Sequence, residues 1–358
     1  MKPAELLDHL WRHGVSADDR DALAAARDAV AGRAAAGRAI DPHDPHDAAA
    51  DDDAEPIDPD VALGLQLFAG WLAAGDADGD ASAGLDPEAM PDAELAVLAH
   101  AMALRRANRR RDLAAIDAGL AAVDEEMGSL DPGDPRGATA RAAVDLALAD
   151  AALLGGDVTA ARRCLTRVAA SGPPAFRIAA LLHQVILLVA RDDLPTALTR
   201  ARQAERLADQ LGRPVQGQRA QLLLGLVGYA MGDADAMRTA LAPLASGPDA
   251  ATARVIIAGL DEPDQVPAAA SAGIQISSER RDPLGYALCS LVGGRCHARR
   301  GRPVDALVLA LPARLHVGGV APELAVALDG EIEAWRRAWG DEAFRAAERE
   351  ALAALERR

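Results

Sequence analysis

AAVDLALADAALLGGDVTAARRCLTRVAASGP, residues 142–173, is the stretch whose reading decides the fold. Leu148 falls on a first helix, Gly156-Asp157 makes a turn, Ala161 and Leu165 fall on a second helix, and Pro173 closes the unit. Each residue type has a physical task. Glycine enters the left-handed conformation that ends a helix, and aspartate caps the next one. Alanine lets two helix backbones approach until they touch.

The same punctuation recurs along the chain. Breaks fall at Arg111-Asp112, Gly156-Asp157, Asp192-Asp193, Gly232-Asp233, Gly301-Arg302 and Gly340-Asp341, spaced 45, 36, 40, 69 and 39 residues apart. Self-similarity at this period marks a stacked helical array, and the interval of 69 holds two units, one degenerate. Ala197 and Ala204 take the small positions after Asp192-Asp193. Leu224-Gly225 precedes and Leu241 follows Gly232-Asp233, while Gly294 precedes and Ala306 follows Gly301. Half of the residues are hydrophobic but only 3% are aromatic, so Ala, Leu and Val must fill the interior. Alternating strand patterns are scarce; only Gly273–Ser277, GIQIS, reads briefly as one. The expected class is all-α, antiparallel helix-turn-helix repeats stacked as an α-solenoid.

Over residues 92–358 these units resemble the tetratricopeptide repeat. Two departures are visible: Asp145 stands where that family carries its early Trp, and the family's Tyr is mostly missing. The resemblance implies a non-catalytic adaptor or scaffold that binds a partner protein or peptide. In that family the first helix of each unit lines the concave face. Counting back from the turns then assigns Leu182, Ile186, Arg219, Leu222, Leu226, Tyr229, Leu291, Arg295 and Arg299 to that face, or to the core between units. Apolar residues with arginines toward the C-terminal part suit an extended or helical peptide carrying acidic groups.

Outside the array, residues 1–38 read as a helical N-terminal segment. Leu6, Leu7, Leu10 and Trp11 recur at helical spacing, Gly14 stops that helix, and Ser16 with Asp18 and Asp19 caps the next. Residues 39–60 read as an acidic disordered linker: from Asp41 to Asp60 there are nine carboxylates, four prolines and a single large apolar residue, Ile57. The repeat domain is expected over 61–358, irregular at 247–282.

Candidate chemistry is thin. Asp76–Pro87 begins like a calcium loop but has Ala81 where glycine is wanted and Pro87 where a bidentate Glu is required. His43 and His46 lie in the acidic linker with nothing to orient them, so no metal site is expected there. Cys164, Cys289 and Cys296 form no CxxC pair, and 289 and 296 share a helical face, as core thiols do. Lys2 is the only lysine, which removes the phosphate loop, the Schiff-base lysine and the kinase-type lysine together. Neither GxSxG nor HExxH is present. No catalytic residue and no cofactor is expected.

A net charge of −16 argues against nucleic acid as a partner. Within this acidic chain Arg105, Arg106, Arg109, Arg110 and Arg111 crowd into seven residues, as a solvated helix end or as a basic docking patch for acidic sequence. The longest apolar run, Ile178–Ala190, is broken by His183 and Gln184 and is too short to span a membrane. A cytoplasmic protein is expected. The rival reading is an all-α enzyme or small-ligand protein with a pocket near 247–282.

Overall fold

The computed structural model describes residues 1–39, 58–73, 87–128, 130–131 and 133–357, and no strand occurs among them. Each of the six breaks separates two helices. Arg111-Asp112 lies between α4 (Ala93–Arg110) and α5 (Leu113–Met127), and Gly156-Asp157 between α6 (Pro135–Leu154) and α7 (Val158–Ser171). Asp192-Asp193 separates α8 (Pro174–Val189) from α9 (Leu194–Gln210), and Gly232-Asp233 separates α10 (Pro214–Met231) from α11 (Ala234–Leu241). Gly301-Arg302 lies between α14 (Pro283–Arg299) and α15 (Pro303–Val317), and Gly340-Asp341 where α16 (Pro322–Trp339) gives way to α17 (Asp341–Glu356).

Local chemistry explains these boundaries. The carboxylates of Asp157, Asp193 and Asp233 accept the amide hydrogens of Ala160, Thr196 and Ala236 at 2.8, 3.4 and 3.0 Å. Such a cap is worth about 1 kcal/mol. Proline stands in the first turn of α6, α8, α9, α10, α14, α15 and α16, where its missing N–H costs nothing. Gly156 and Gly232 take positive φ at two turns, yet Arg111 and Asp192 do so at two others.

The interval of 69 residues holds two further helices, α12 (Ala250–Asp261) and α13 (Val266–Glu279). The irregularity expected at 247–282 is therefore a helix pair whose turn, Glu262–Gln265, lacks the Gly-Asp signature. GIQIS lies inside α13. Val266, Ala270, Gly273 and Ser277 are all buried at spacings of four, three and four, so the helical period overrides the short alternation.

Small residues make the helix contacts. Ala197, Ala201, Ala204 and Ala208 form one fully buried stripe of α9, packed between α8 and α10. Gly225 touches Leu241 across the α10–α11 pair. Ala161 is 0% exposed, on the face of α7 that meets α6. Ala161→Leu is therefore expected to overpack this unit and cost about 1–3 kcal/mol. Denaturant melts that overlay those of the native protein would contradict the packing.

The N-terminal helices are part of the array rather than a separate segment. Leu6, Leu10 and Trp11 of α1 (Pro3–His13) and Leu65, Phe68 and Trp71 of α3 (Pro59–Ala73) share one core with α4, α6, α7 and α8. Thr139 donates its hydroxyl to the Trp11 carbonyl at 2.5 Å. As expected, Ser16 caps the turn that leads into α2 (Arg20–Ala39): its hydroxyl accepts from Asp18 N, and Asp19 accepts from Ser16 N. Asp18 also reaches across the fold to accept from Val215 N and Gln216 N at 2.8 and 3.4 Å, capping α10, which has no cap of its own. The acidic linker lies outside the described residues between 40 and 57, while Pro59 and Asp60 already belong to the first turn of α3.

Near the other end, α16 packs against α14 and α15 and also against α8 and α6. The array thus closes on itself, with α16 as the element that meets the earlier helices. No helix among the described residues is long and apolar enough to cross a membrane.

Candidate functional site

Most of the residues that the sequence assigns to the concave face are packed against a later helix of the same chain, α16. Leu182, Ile186, Leu226 and Leu291 share a core with Leu324 and Leu328 of α16. Arg295 Nη2 meets Glu331 Oε2 of the same helix at 2.6 Å. One face of α16 thus presents leucines and the Glu331 carboxylate to these residues. Its sequence lies just before the last break, Gly340-Asp341, and carries no sign of this packing. Leu222 and Tyr229 are buried as well. Arg295 and Arg299 each stand 5.9 Å from the Tyr229 ring, and burial raises the Tyr229 hydroxyl above its usual pKa. Arg219 is exposed and makes no ion pair among the described residues.

Beside the N-terminus of α16 lies a cavity of about 240 Å³. It is lined by the exposed Arg20 of α2, Arg219 of α10 and Arg281 from the turn before α14, by Arg105 of α4, and by Trp71, His183 and Glu323.

The arginine patch at 105–111 does not form one outward surface. Arg105 turns inward: Nη1 donates to the Trp71 carbonyl at 3.2 Å, the guanidinium lies 4.4 Å from the Trp71 ring, and Nε approaches Asp150 Oδ2 at 3.6 Å. The Trp71 ring and a carboxylate together outweigh solvation for this side chain. Arg106, Arg109 and Arg110 are all engaged by neighbours. Arg111 closes α4 in the left-handed region and lies against Gly318 of the α15–α16 loop.

Two residues of the cavity wall, His183 of α8 and Glu323 of α16, converge with Asp150 of α6, and His183 Nε2 stands 3.6 Å from Glu323 Oε1. Burial pushes the Glu323 carboxyl up to about 7 and lowers the His183 imidazole. Burial also raises the Asp150 carboxyl, against the opposing pull of Arg105. No pattern in the sequence marks this cluster. His183 is only a break in an apolar run, and Glu323 is an ordinary acidic residue of a helical first turn.

Among the other candidates, Cys164, Cys289 and Cys296 are buried free thiols, the last two on α14. Burial drives the Cys289 thiol up to about 12, which makes it inert. His43, His46 and the calcium-like segment up to residue 86 lie outside the described residues.

Compared with protein families, with curated proteins and with solved structures, this chain finds no match.

Proposed function

We propose that this chain is a non-catalytic interaction module, resembling the tetratricopeptide-repeat adaptors, that takes an acidic segment of a partner protein at the mouth of its concave face. One observation carries the reading. In a chain of net charge −16, four arginines from four separate elements surround a single cavity. Cations gathered against the overall charge attract acidic groups and steer their approach. A second observation supports it: the neighbouring stretch of the same face already holds an acidic amphipathic helix, α16, through Arg295 and Glu331. An incoming acidic segment would extend that arrangement into the open part.

Fluorescence anisotropy with a labelled decaglutamate peptide at low ionic strength tests this. Saturable binding that weakens with salt is expected, because Arg20, Arg219 and Arg281 are exposed. Arg219→Glu is expected to weaken it about tenfold, equivalent to about 1.4 kcal/mol. Inorganic phosphate that displaced the peptide at micromolar concentration would instead indicate a small-anion site. Equal affinity of the native and Arg219→Glu proteins would overturn the assignment.

A further inference from the structure

Asp150, His183 and Glu323 each offer one ligand atom, and the three atoms lie within 4.8 Å of one another. Ligands bonded at about 2.0–2.2 Å to one zinc-sized ion stand roughly 3–4 Å apart, so small rotations would bring these three to bonding distance. The donors come from α6 and α8, which touch directly, and from α16, which meets both where the array closes.

Their hydrogen bonding is incomplete. Asp150 Oδ1, His183 Nδ1 and Glu323 Oε2 are buried without a partner. Glu323 is only 5% exposed, and its aim is inward, toward His183. A carboxylate oxygen held away from water with nothing to accept from is costly, and so is a buried charge without a counterion. The two carboxylates outnumber the single guanidinium beside them, Arg105, and a divalent cation would more than offset the remaining negative charge.

We propose that Asp150, His183 and Glu323 bind one divalent transition-metal ion of the zinc class, which ties α16 to α6 and α8. Imidazole with two carboxylates is a suitable donor set for such an ion. Arg105 approaches Asp150 through Oδ2 and leaves Oδ1 for the metal, so it orients the ligand from behind. His183 and Glu323 also line the open cavity, which provides the entry path and room for a water in a fourth position. The inference stands apart from the acidic-partner reading, since none of its ligands is an arginine.

The full chain, stripped with chelator and dialysed, is titrated with zinc chloride by calorimetry and with cobalt(II) by visible absorption. One equivalent is expected to bind saturably, with ligand-field bands from cobalt. Glu323→Gln and His183→Gln are each expected to weaken binding at least tenfold, with circular dichroism of the metal-free proteins confirming the fold. Asp150→Asn provides a second isosteric test. Saturating zinc is expected to raise Tm by about 3 °C in the native protein and not in Glu323→Gln. Replacing His43 and His46 together by alanine is expected to leave binding unchanged. Absence of saturable binding, equal affinity in all three cluster variants, or loss of binding on removing His43 and His46 would each overturn the proposal.

Discussion

Arg213→Met is expected to cost about 3–5 kcal/mol, because it strands a buried carboxylate. Arg213 and Asp19 are 7% exposed each and meet at 2.5 Å; Arg213 also contacts the Ser16 hydroxyl and His9 Nε2, each at 3.2 Å. Methionine matches the arginine stem in bulk but offers no donor. Asp19 would keep only the uncharged donors of Ser16, the amide at 2.9 Å and the hydroxyl at 3.4 Å. The loss falls on the contact that holds the N-terminal helices against α10, almost two hundred residues downstream. Trp11 and Trp71 sit in the adjoining core, so tryptophan fluorescence during chemical denaturation reads it. Adding Asp19→Asn to Arg213→Met removes the stranded charge and is expected to recover part of the stability. A single variant within 1 kcal/mol of the native protein would show that the pair does not hold the segment.

What the sequence makes legible follows from the range of the interactions. Turns such as Asp157, Asp193 and Asp233 are local chemistry: a carboxylate caps amide groups three residues away, so position and type appear in the string itself. The turn at Glu262–Gln265 uses a different solution and was read as irregularity, although Val266, Ala270 and Gly273 carry the helical period plainly. Asp18 was legible as an N-terminal acid but not as the cap of α10, since its second set of partners depends on how the array curls. The same holds at the site. Ile186, Leu226, Leu291 and Arg295 were legible as one face, because repeat geometry places them together. Their occupant was not, because a repeat pattern describes neighbours and α16 meets α6 and α8 across several intervening helices. Asp150, His183 and Glu323 acquire a relation only through that closure.

Leu328→Ala is expected to cost about 2–5 kcal/mol and to loosen α16 in particular. Leu328 is 1% exposed and packs with Leu324 among the apolar residues of α8, α10 and α14. Removing its isobutyl group leaves a void that rigid neighbours on three helices cannot easily close, which puts the cost toward the upper end. Besides Leu328, α16 is held to the earlier helices by Leu324, by Val326 against the N-terminal core, and by the pairs Arg295–Glu331 and His183–Glu323. Its contacts with α17 and with the first half of α15 lie in a different core, built around Trp335 and Phe344, and the substitution leaves those in place. The expected result is therefore local: hydrogen exchange accelerates along α16, a dye that reports apolar surface binds the uncovered Ile186–Leu226–Leu291 face, and α4 to α7 exchange at native rates. A variant in which exchange rises uniformly through the chain would mean that closure by α16 stabilises the whole array cooperatively. Unchanged exchange in α16 would mean that the helix is held by its C-terminal neighbours alone, and the groove would then be free to take a partner helix in its place.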